Sequence, residues 1–122
     1  MTVKDFYAET GGNYNDALQR LMNDALIYRF LMKFPADESF DMLKTALDHK
    51  DLEAAFSAAH TLKGVTLNLA FDRLAGACVI LTDALRSQNR ANYSFDDFDK
   101  MFADVEKEYA AVCTAIEKTT VD

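Results

Sequence analysis

The near absence of residues that interrupt helices restricts the fold more than any other feature of the sequence. The 122 residues include one proline, Pro35, and four glycines, of which Gly11 and Gly12 are adjacent. Between these breaks apolar residues recur every three or four positions, and almost no stretch alternates as a half-buried strand does. The chain is therefore predicted to be all-α, an antiparallel four-helix bundle with a short additional N-terminal helix.

Helix start and stop signals divide the periodic segments. A short helix with Val3, Phe6 and Tyr7 on its apolar face is expected to end at Gly11 and Gly12. The other helices are predicted between further signals: Pro35 ends the segment 15–34, Asp37 or Ser39 caps the next helix, Asp51 and Asp72 cap two more, and Ser94 with Asp97 forms a capping box before the last. The bundle core is expected to span about residues 15–118.

A single domain is expected to occupy residues 1–122, because this length suits one core and no repeat or linker interrupts it. The formal charge of -7 disfavours binding to nucleic acid or to an anionic membrane. No apolar run approaches the ~20 residues of a membrane span, and no leader opens the chain, so we expect a cytoplasmic protein. Cys78 and Cys113 lack metal-ligand spacing and are expected to be buried free thiols in a reducing compartment.

The segment 52–71 has two unlike faces when it is drawn as a helix. One face is ordinary core, formed by Ala55, Ala59, Leu62, Thr66 and Leu69. The opposite face carries Glu53, Ser57, His60, Gly64 and Asn68. Gly64 costs a helix about 1 kcal/mol relative to alanine and leaves space beside His60 for another molecule's surface. From spacing alone, a solvated histidine and a glycine that permits close packing remain the commoner explanation.

No second reactive site is evident in the sequence. His49 lies in the turn before Asp51 and has neither a cysteine nor a second histidine at ligand spacing, so no metal site is expected there. The sequence contains no glycine-rich phosphate loop, no kinase-like ATP-binding motif and no pair of carboxylates placed for acid–base chemistry. The chain is therefore not expected to be an enzyme by itself.

The run Ala59-His60-Thr61-Leu62-Lys63-Gly64 resembles the signature of the histidine-containing phosphotransfer (HPt) domain. That family is a four-helix bundle that carries a phosphoryl group between receiver domains on a surface histidine. The likeness covers most of the chain, because residues 21–47 resemble the family's preceding hairpin and its next helix is matched by Arg73, Leu74, Cys78 and Leu81.

The resemblance implies roles for the residues around His60. His60 is the expected phosphoacceptor through Nε2, and Lys63 would attract the phosphoryl oxygens. Gly64 would let a partner approach, and Thr82 stands where the family has a supporting Gln or Glu. Partner docking is expected at four further residues: Phe56, Ser57, Leu67 and Asn68.

The function implied by the resemblance is that of a phosphocarrier in a two-component phosphorelay. His60 would accept and donate a phosphoryl group, to and from the aspartates of response-regulator receiver domains. A histidine kinase or hybrid kinase would be the other partner. The receiver brings magnesium and the kinase brings ATP, so this chain is expected to need no cofactor and no metal.

Three positions depart from the family pattern. Leu67 stands where a small residue is usual, Ala70 replaces a glycine, and Thr82 replaces Gln or Glu. Leu67 could extend an apolar docking patch with Phe56 or could obstruct a partner. An alternative function therefore stays open, namely a catalytically silent HPt-like bundle that acts only as a protein-binding module for a receiver or kinase.

Overall fold

The computed structural model describes residues 1–121, and all regular structure in this range is helical, which confirms the all-α prediction. The α-helices are α1 (Val3–Thr10), α2 (Tyr14–Leu21), α3 (Asp24–Lys33), α4 (Ser39–Asp48), α5 (Leu52–Asn68), α6 (Asp72–Leu85) and α7 (Phe95–Glu117). Short 3₁₀ turns occupy Phe34–Ala36 and Arg90–Asn92. No helix within residues 1–121 combines the length and the apolar character that crossing a membrane requires.

Helices α4 to α7 form the predicted four-helix bundle. Helix α5 packs between α4 and α6, while α7 packs on α6 and also contacts α4. Tight turns join α4 to α5 and α5 to α6, so these neighbours run antiparallel. Each of the four helices contributes a fully buried side chain to the shared core, namely Leu43, Leu62, Leu81 and Val105.

Helix α5 buries the face that its sequence pattern predicts. Ala55, Ala59, Leu62 and Thr66 are all buried. The helix starts where expected, because the Asp51 carboxylate accepts a hydrogen bond of 3.0 Å from the backbone N–H of Ala54. Small side chains dominate the buried stripe, so the neighbouring helices can approach closely without covering the opposite face of α5.

Helix α1 closes one end of the bundle, as its short apolar stripe predicts. It packs on α7 and ends at Gly11, whose φ of 71° is left-handed. The fully buried Tyr7 hydroxyl donates a hydrogen bond of 2.8 Å to the carbonyl of Leu69, at the end of α5. Burial raises the pKa of Tyr7 well above its usual value, so this hydroxyl stays protonated and tied to α5.

The single helix predicted over residues 15–34 is wrong, because the chain breaks at Met22 into α2 and α3. The Asn23 side chain accepts a hydrogen bond of 2.9 Å from the N–H of Leu26 and so starts a new helix. The N–H of Asn23 donates to the carbonyl of Leu21 at 3.0 Å, which makes Met22 the central residue of a γ-turn. Met22 has φ 78° and ψ -49°, a strained conformation for a residue with a side chain.

The cap predicted from the sequence is confirmed for α7 but not for α6. The capping box of α7 is confirmed, since Ser94 and Asp97 exchange hydrogen bonds of 3.1 and 2.8 Å. Asp72 was expected to cap α6, but Phe71 occupies the cap position and Asp72 is the first helical residue. There its charge still meets the positive end of the helix dipole.

The start of α4 also differs from the prediction of an Asp37 or Ser39 cap. Glu38 occupies the cap position without a side-chain hydrogen bond, and Ser39 is the first residue of the helix. The Asp37 carboxylate nevertheless accepts the Ser39 N–H at 2.8 Å. This bond gives the Ser39 N–H, at the start of the helix, an acceptor from the residue before the cap position.

Both cysteines are free thiols, but they differ in burial. Cys78 is buried, and burial raises the pKa of its thiol to about 12. Cys113 is only half-buried, so the expectation of two buried thiols holds for Cys78 alone. The side of α7 that carries Cys113 lies at the edge of the core.

The strain at Met22 predicts that Met22→Gly stabilises the protein. Glycine adopts the left-handed region without steric cost, and Met22 is 78% exposed, so little buried apolar surface is lost. We expect the free energy of unfolding in urea to rise by about 1 kcal/mol.

Met42→Gly is the matched control, because Met42 is also exposed but lies inside α4. There glycine should lower the free energy of unfolding by about 1 kcal/mol. A Met22→Gly protein no more stable than the wild type would show that the turn is not strained.

Candidate functional site

His60 lies at the midpoint of α5, on the face opposite the buried stripe, and is exposed. Its ring centre is 5.9 Å from that of Phe56, one turn earlier, at an interplanar angle of 45°. A Cβ added at Gly64, one turn later, would meet no other atom within 4 Å. The space beside the imidazole is therefore open on the Gly64 side, so a large partner can reach the ring.

The predicted docking residues surround His60 on the same helix. Ser57 and Asn68 are exposed, Leu67 is 43% exposed, and Phe56 is half-buried against the core. We call the surface formed by Ser57, His60, Gly64, Leu67 and Asn68 the His60 face. Leu67 adds apolar surface to this face about two turns from the imidazole and does not cover the ring.

Lys63 is the nearest cation to His60 along α5. It lies one turn from the histidine, is half-buried, and forms no ion pair with any residue between 1 and 121. Its ammonium is thus available to an anion that approaches the His60 face. Partial exposure to solvent limits this attraction to roughly 1 kcal/mol.

Two contacts show how α6 lies beside α5. The Arg86 guanidinium is 5.5 Å from the centre of the Phe56 ring, and the Thr66 side chain lies close enough to the Cys78 thiol to lower its pKa against the larger effect of burial. Arg86, late in the sequence of this helix pair, thus lies beside Phe56, near the start of α5, whereas Cys78 lies beside Thr66, near the end of α5. This is the arrangement that antiparallel packing requires. Residues between these two contacts face each other across the helix pair.

This register places Thr82 at the level of His60, but inside the bundle. Thr82 is fully buried, and its Oγ1 has no hydrogen-bond partner among the described residues. Contact between this fully buried hydroxyl and a phosphoryl group on His60 stays a prediction. Support of the ring from its inner side stays a prediction, and an unpartnered buried hydroxyl is costly enough to suggest a use.

Arg86 is a residue at the site that the sequence did not single out. It follows Thr82 by one turn, at the end of α6, and its guanidinium lies over Phe56. Its Nε also contacts the Asp83 carboxylate at 3.2 Å. Because Phe56 in turn lies beside His60, Arg86 brings a second positive charge towards the site.

The third departure from the family pattern, Ala70, has a structural explanation. Ala70 has φ 57°, in the left-handed region where a glycine is favoured. It stays there because it is buried and its carbonyl accepts the Asn13 N–H at 2.9 Å, which joins the end of α5 to the start of α2. Alanine therefore makes the same turn that a glycine would make, at a cost of about 1 kcal/mol.

The other histidine lies away from this face. His49 is exposed at the end of α4, and its Nδ1 lies 2.9 Å from the carbonyl oxygen of Thr45. Within residues 1–121 no three His, Cys, Asp or Glu side chains are grouped closely enough to hold a metal ion.

Comparison with known families agrees with the geometry of the His60 face. The family model described as "Hpt domain" matches residues 35–115, about two thirds of the chain. This range includes α4, α5 with His60, α6 and most of α7. Searches of curated proteins and of solved structures gave no significant match.

The chain therefore belongs to the Hpt domain family. Hpt domains are phosphocarrier modules that take part in histidine phosphotransfer in two-component systems, where they interact with receiver domains and kinases. The first 34 residues, with α1, α2 and α3, lie outside the match.

The open space at Gly64 predicts that Gly64→Gln raises the stability of the protein but slows phosphoryl transfer. An added Cβ at Gly64 meets no other atom within 4 Å, and glutamine favours a helix more than glycine does, so the free energy of unfolding should rise by up to about 1 kcal/mol. The same side chain should obstruct a partner, and we expect phosphoryl transfer from a phosphorylated receiver to slow at least about tenfold.

Gly76→Gln is the control, because an added Cβ at this helical glycine of α6 also meets nothing within 4 Å. It should stabilise the protein similarly and change transfer less than about twofold, since Gly76 lies on α6 and outside the His60 face. Equal transfer rates for the two variants would show that Gly64 provides no clearance.

Proposed function

We propose that this chain is a histidine phosphotransfer protein of a two-component phosphorelay, with His60 as phosphoacceptor. The observation that carries the proposal is an exposed imidazole at the middle of α5 beside the open space at Gly64. Membership of the Hpt domain family supports the same reaction. His60 accepts the phosphoryl group from a receiver aspartate and donates it to another.

The transfer is a nucleophilic displacement at phosphorus. His60 Nε2 attacks the phosphorus of the aspartyl phosphate, the N–P bond forms as the P–O bond to the carboxylate breaks, and that electron pair stays on the carboxylate. The reverse step restores the imidazole. The receiver contributes magnesium and its acidic pocket, and the kinase contributes ATP, so this chain supplies no cofactor, no metal and no catalysis of its own.

Residues near the ring favour the phosphorylated state. Lys63 has no ion pair within residues 1–121 and attracts the phosphoryl oxygens. Arg86 adds a smaller attraction from α6, because its ion pair with Asp83 offsets part of its charge. The unpartnered Thr82 hydroxyl supports the inner side of the ring, where Nδ1 needs a fixed tautomer. Phe56 holds one side of the imidazole in place.

The His60 face is the docking surface for the receiver and the kinase. Ser57, Leu67 and Asn68 contact the partner, and the half-buried Phe56 contributes its exposed edge. Apolar contact supplies most of the binding energy at such a surface, while the acidic remainder of the chain disfavours nucleic acid and anionic membranes. A phosphorelay with these partners places the protein in the cytoplasm.

One observation favours a second candidate, a silent Hpt domain that only binds a receiver or kinase. Thr82 is fully buried where the family usually has Gln or Glu, so the ring lacks a long polar neighbour from α6. In this case Leu67 serves docking alone.

His60→Gln separates the two candidates. Glutamine keeps a polar side chain of similar reach but has no nucleophilic nitrogen, so stable phosphate uptake from a phosphorylated receiver should be lost. Docking should survive, with the receiver affinity changed by no more than about 1 kcal/mol, because neighbouring side chains form most of the contact. Single-turnover transfer and calorimetric binding measure the two effects separately.

His49→Gln is the matched control, since His49 is exposed but lies outside the His60 face. It should transfer phosphate like the wild type. If the wild type binds its receiver tightly and never gains acid-labile phosphate from any receiver tried, the silent candidate is correct and the carrier is not.

A further inference from the structure

A surface pocket lies between the N-terminal helices and the second half of α5. Its volume is about 250 Å³. One side is lined by Leu21, Phe30, Lys33 and Phe34, the other by Val65, Asn68 and Leu69, and Asp37 also lines the pocket. Most of the lining is apolar. The first of these walls lies before residue 35 and so outside the match to the Hpt domain family.

The side chains at the pocket are only partly covered by the chain itself. Phe30 is 43% exposed, although it lies in the middle of α3. Leu67, next to the pocket residue Asn68, is also 43% exposed. Phe30 thus leaves apolar surface of the pocket open to solvent, and Leu67 adds exposed apolar surface to the His60 face, as partner-binding surfaces do.

The pocket lies within reach of any protein that docks on His60. Asn68 follows His60 by about two turns, which is about 12 Å along the helix axis. A protein interface typically covers about 800 Å² per partner, a disc of about 16 Å radius. A receiver centred on His60 therefore covers the pocket as well.

The charge around the pocket suits the same partner. Lys33 lies at the pocket with its ammonium 6.0 Å from the centre of the Phe30 ring, and it forms no ion pair with the residues that the structure describes. Lys63 is likewise unpaired. Asp37 also lines the pocket, but its carboxylate accepts the Ser39 N–H and forms no ion pair with Lys33. In a chain with a formal charge of -7, the unpaired ammonium groups of Lys33 and Lys63 therefore favour a partner that is acidic there.

We propose that this pocket, built by α3 and α5, anchors the cognate receiver domain and sets its specificity. An apolar side chain of the receiver enters between Phe30 and Val65, and a receiver carboxylate pairs with Lys33. The inference rests on the proposed function and adds a determinant outside the matched Hpt residues. Receivers that lack this apolar and acidic pair exchange phosphate with His60 more slowly.

The test compares Phe30→Gln with Phe95→Gln. Phe95 is 44% exposed and has the Lys50 ammonium 5.0 Å from its ring centre, so it matches Phe30 in type, exposure and neighbouring charge. It lies at the start of α7, away from the pocket. Both variants should keep the circular dichroism and melting temperature of a folded protein.

Two phosphodonors separate docking from chemistry. Phosphoramidate is a small molecule and needs no docking surface, so the wild type and both variants should gain phosphate on His60 from it at equal rates. With the phosphorylated receiver that transfers fastest to the wild type, Phe30→Gln should lower kcat/KM at least about tenfold, mainly by raising KM. Phe95→Gln should stay within about twofold of the wild type.

Each other outcome has a defined meaning. Equal kcat/KM for Phe30→Gln and the wild type overturns the anchor and leaves the phosphocarrier function standing. A wild type that accepts phosphate from neither donor overturns both proposals. A wild-type dimer that Phe30→Gln converts to a monomer without slower transfer, as measured by analytical ultracentrifugation, assigns the pocket to a second copy of this chain and overturns the receiver anchor.

Discussion

The packing of α5 between α4 and α6 is the constraint on which the rest of the structure depends. Its buried stripe is narrow because alanines occupy much of it, so the two neighbours pack closely along its sides. They leave the opposite face of the helix uncovered. The narrow stripe places the imidazole in the middle of a helix and leaves it accessible to solvent.

The parts of the fold that local chemistry determines could be read from the sequence. The stripe of α5, the Asp51 cap and the capping box of Ser94 and Asp97 each depend on residues within a few positions of one another. The break at Met22 was missed because apolar residues keep their period through it, while one side chain, Asn23, decides where α3 starts. The burial of Thr82 could have been predicted, because Thr82 follows the buried Cys78 by one helical turn and so lies on the same face of α6.

The features that join distant segments could not be predicted from the sequence. The contact of Arg86 with Phe56 depends on the rotation of α6 against α5, which is set by core packing. The pocket beside Asn68 requires α3 to end near the second half of α5. Both features place cations or apolar side chains near His60, and both bring together residues that are not neighbours in the chain. The family resemblance predicts His60 as the phosphoacceptor, while these cross-helix contacts define its individual surroundings.

The most direct test of the account is to observe the nitrogen atoms of the two histidines during transfer. Long-range ¹H–¹⁵N NMR of the imidazoles would be recorded before and after mixing with a phosphorylated receiver. Transfer through His60 predicts that its Nε2 becomes coupled to phosphorus, while both nitrogens of His49, which is also exposed but lies on another surface, keep their resonances. Phosphorus on His49, or loss of phosphate from the receiver with neither histidine modified, would contradict the account.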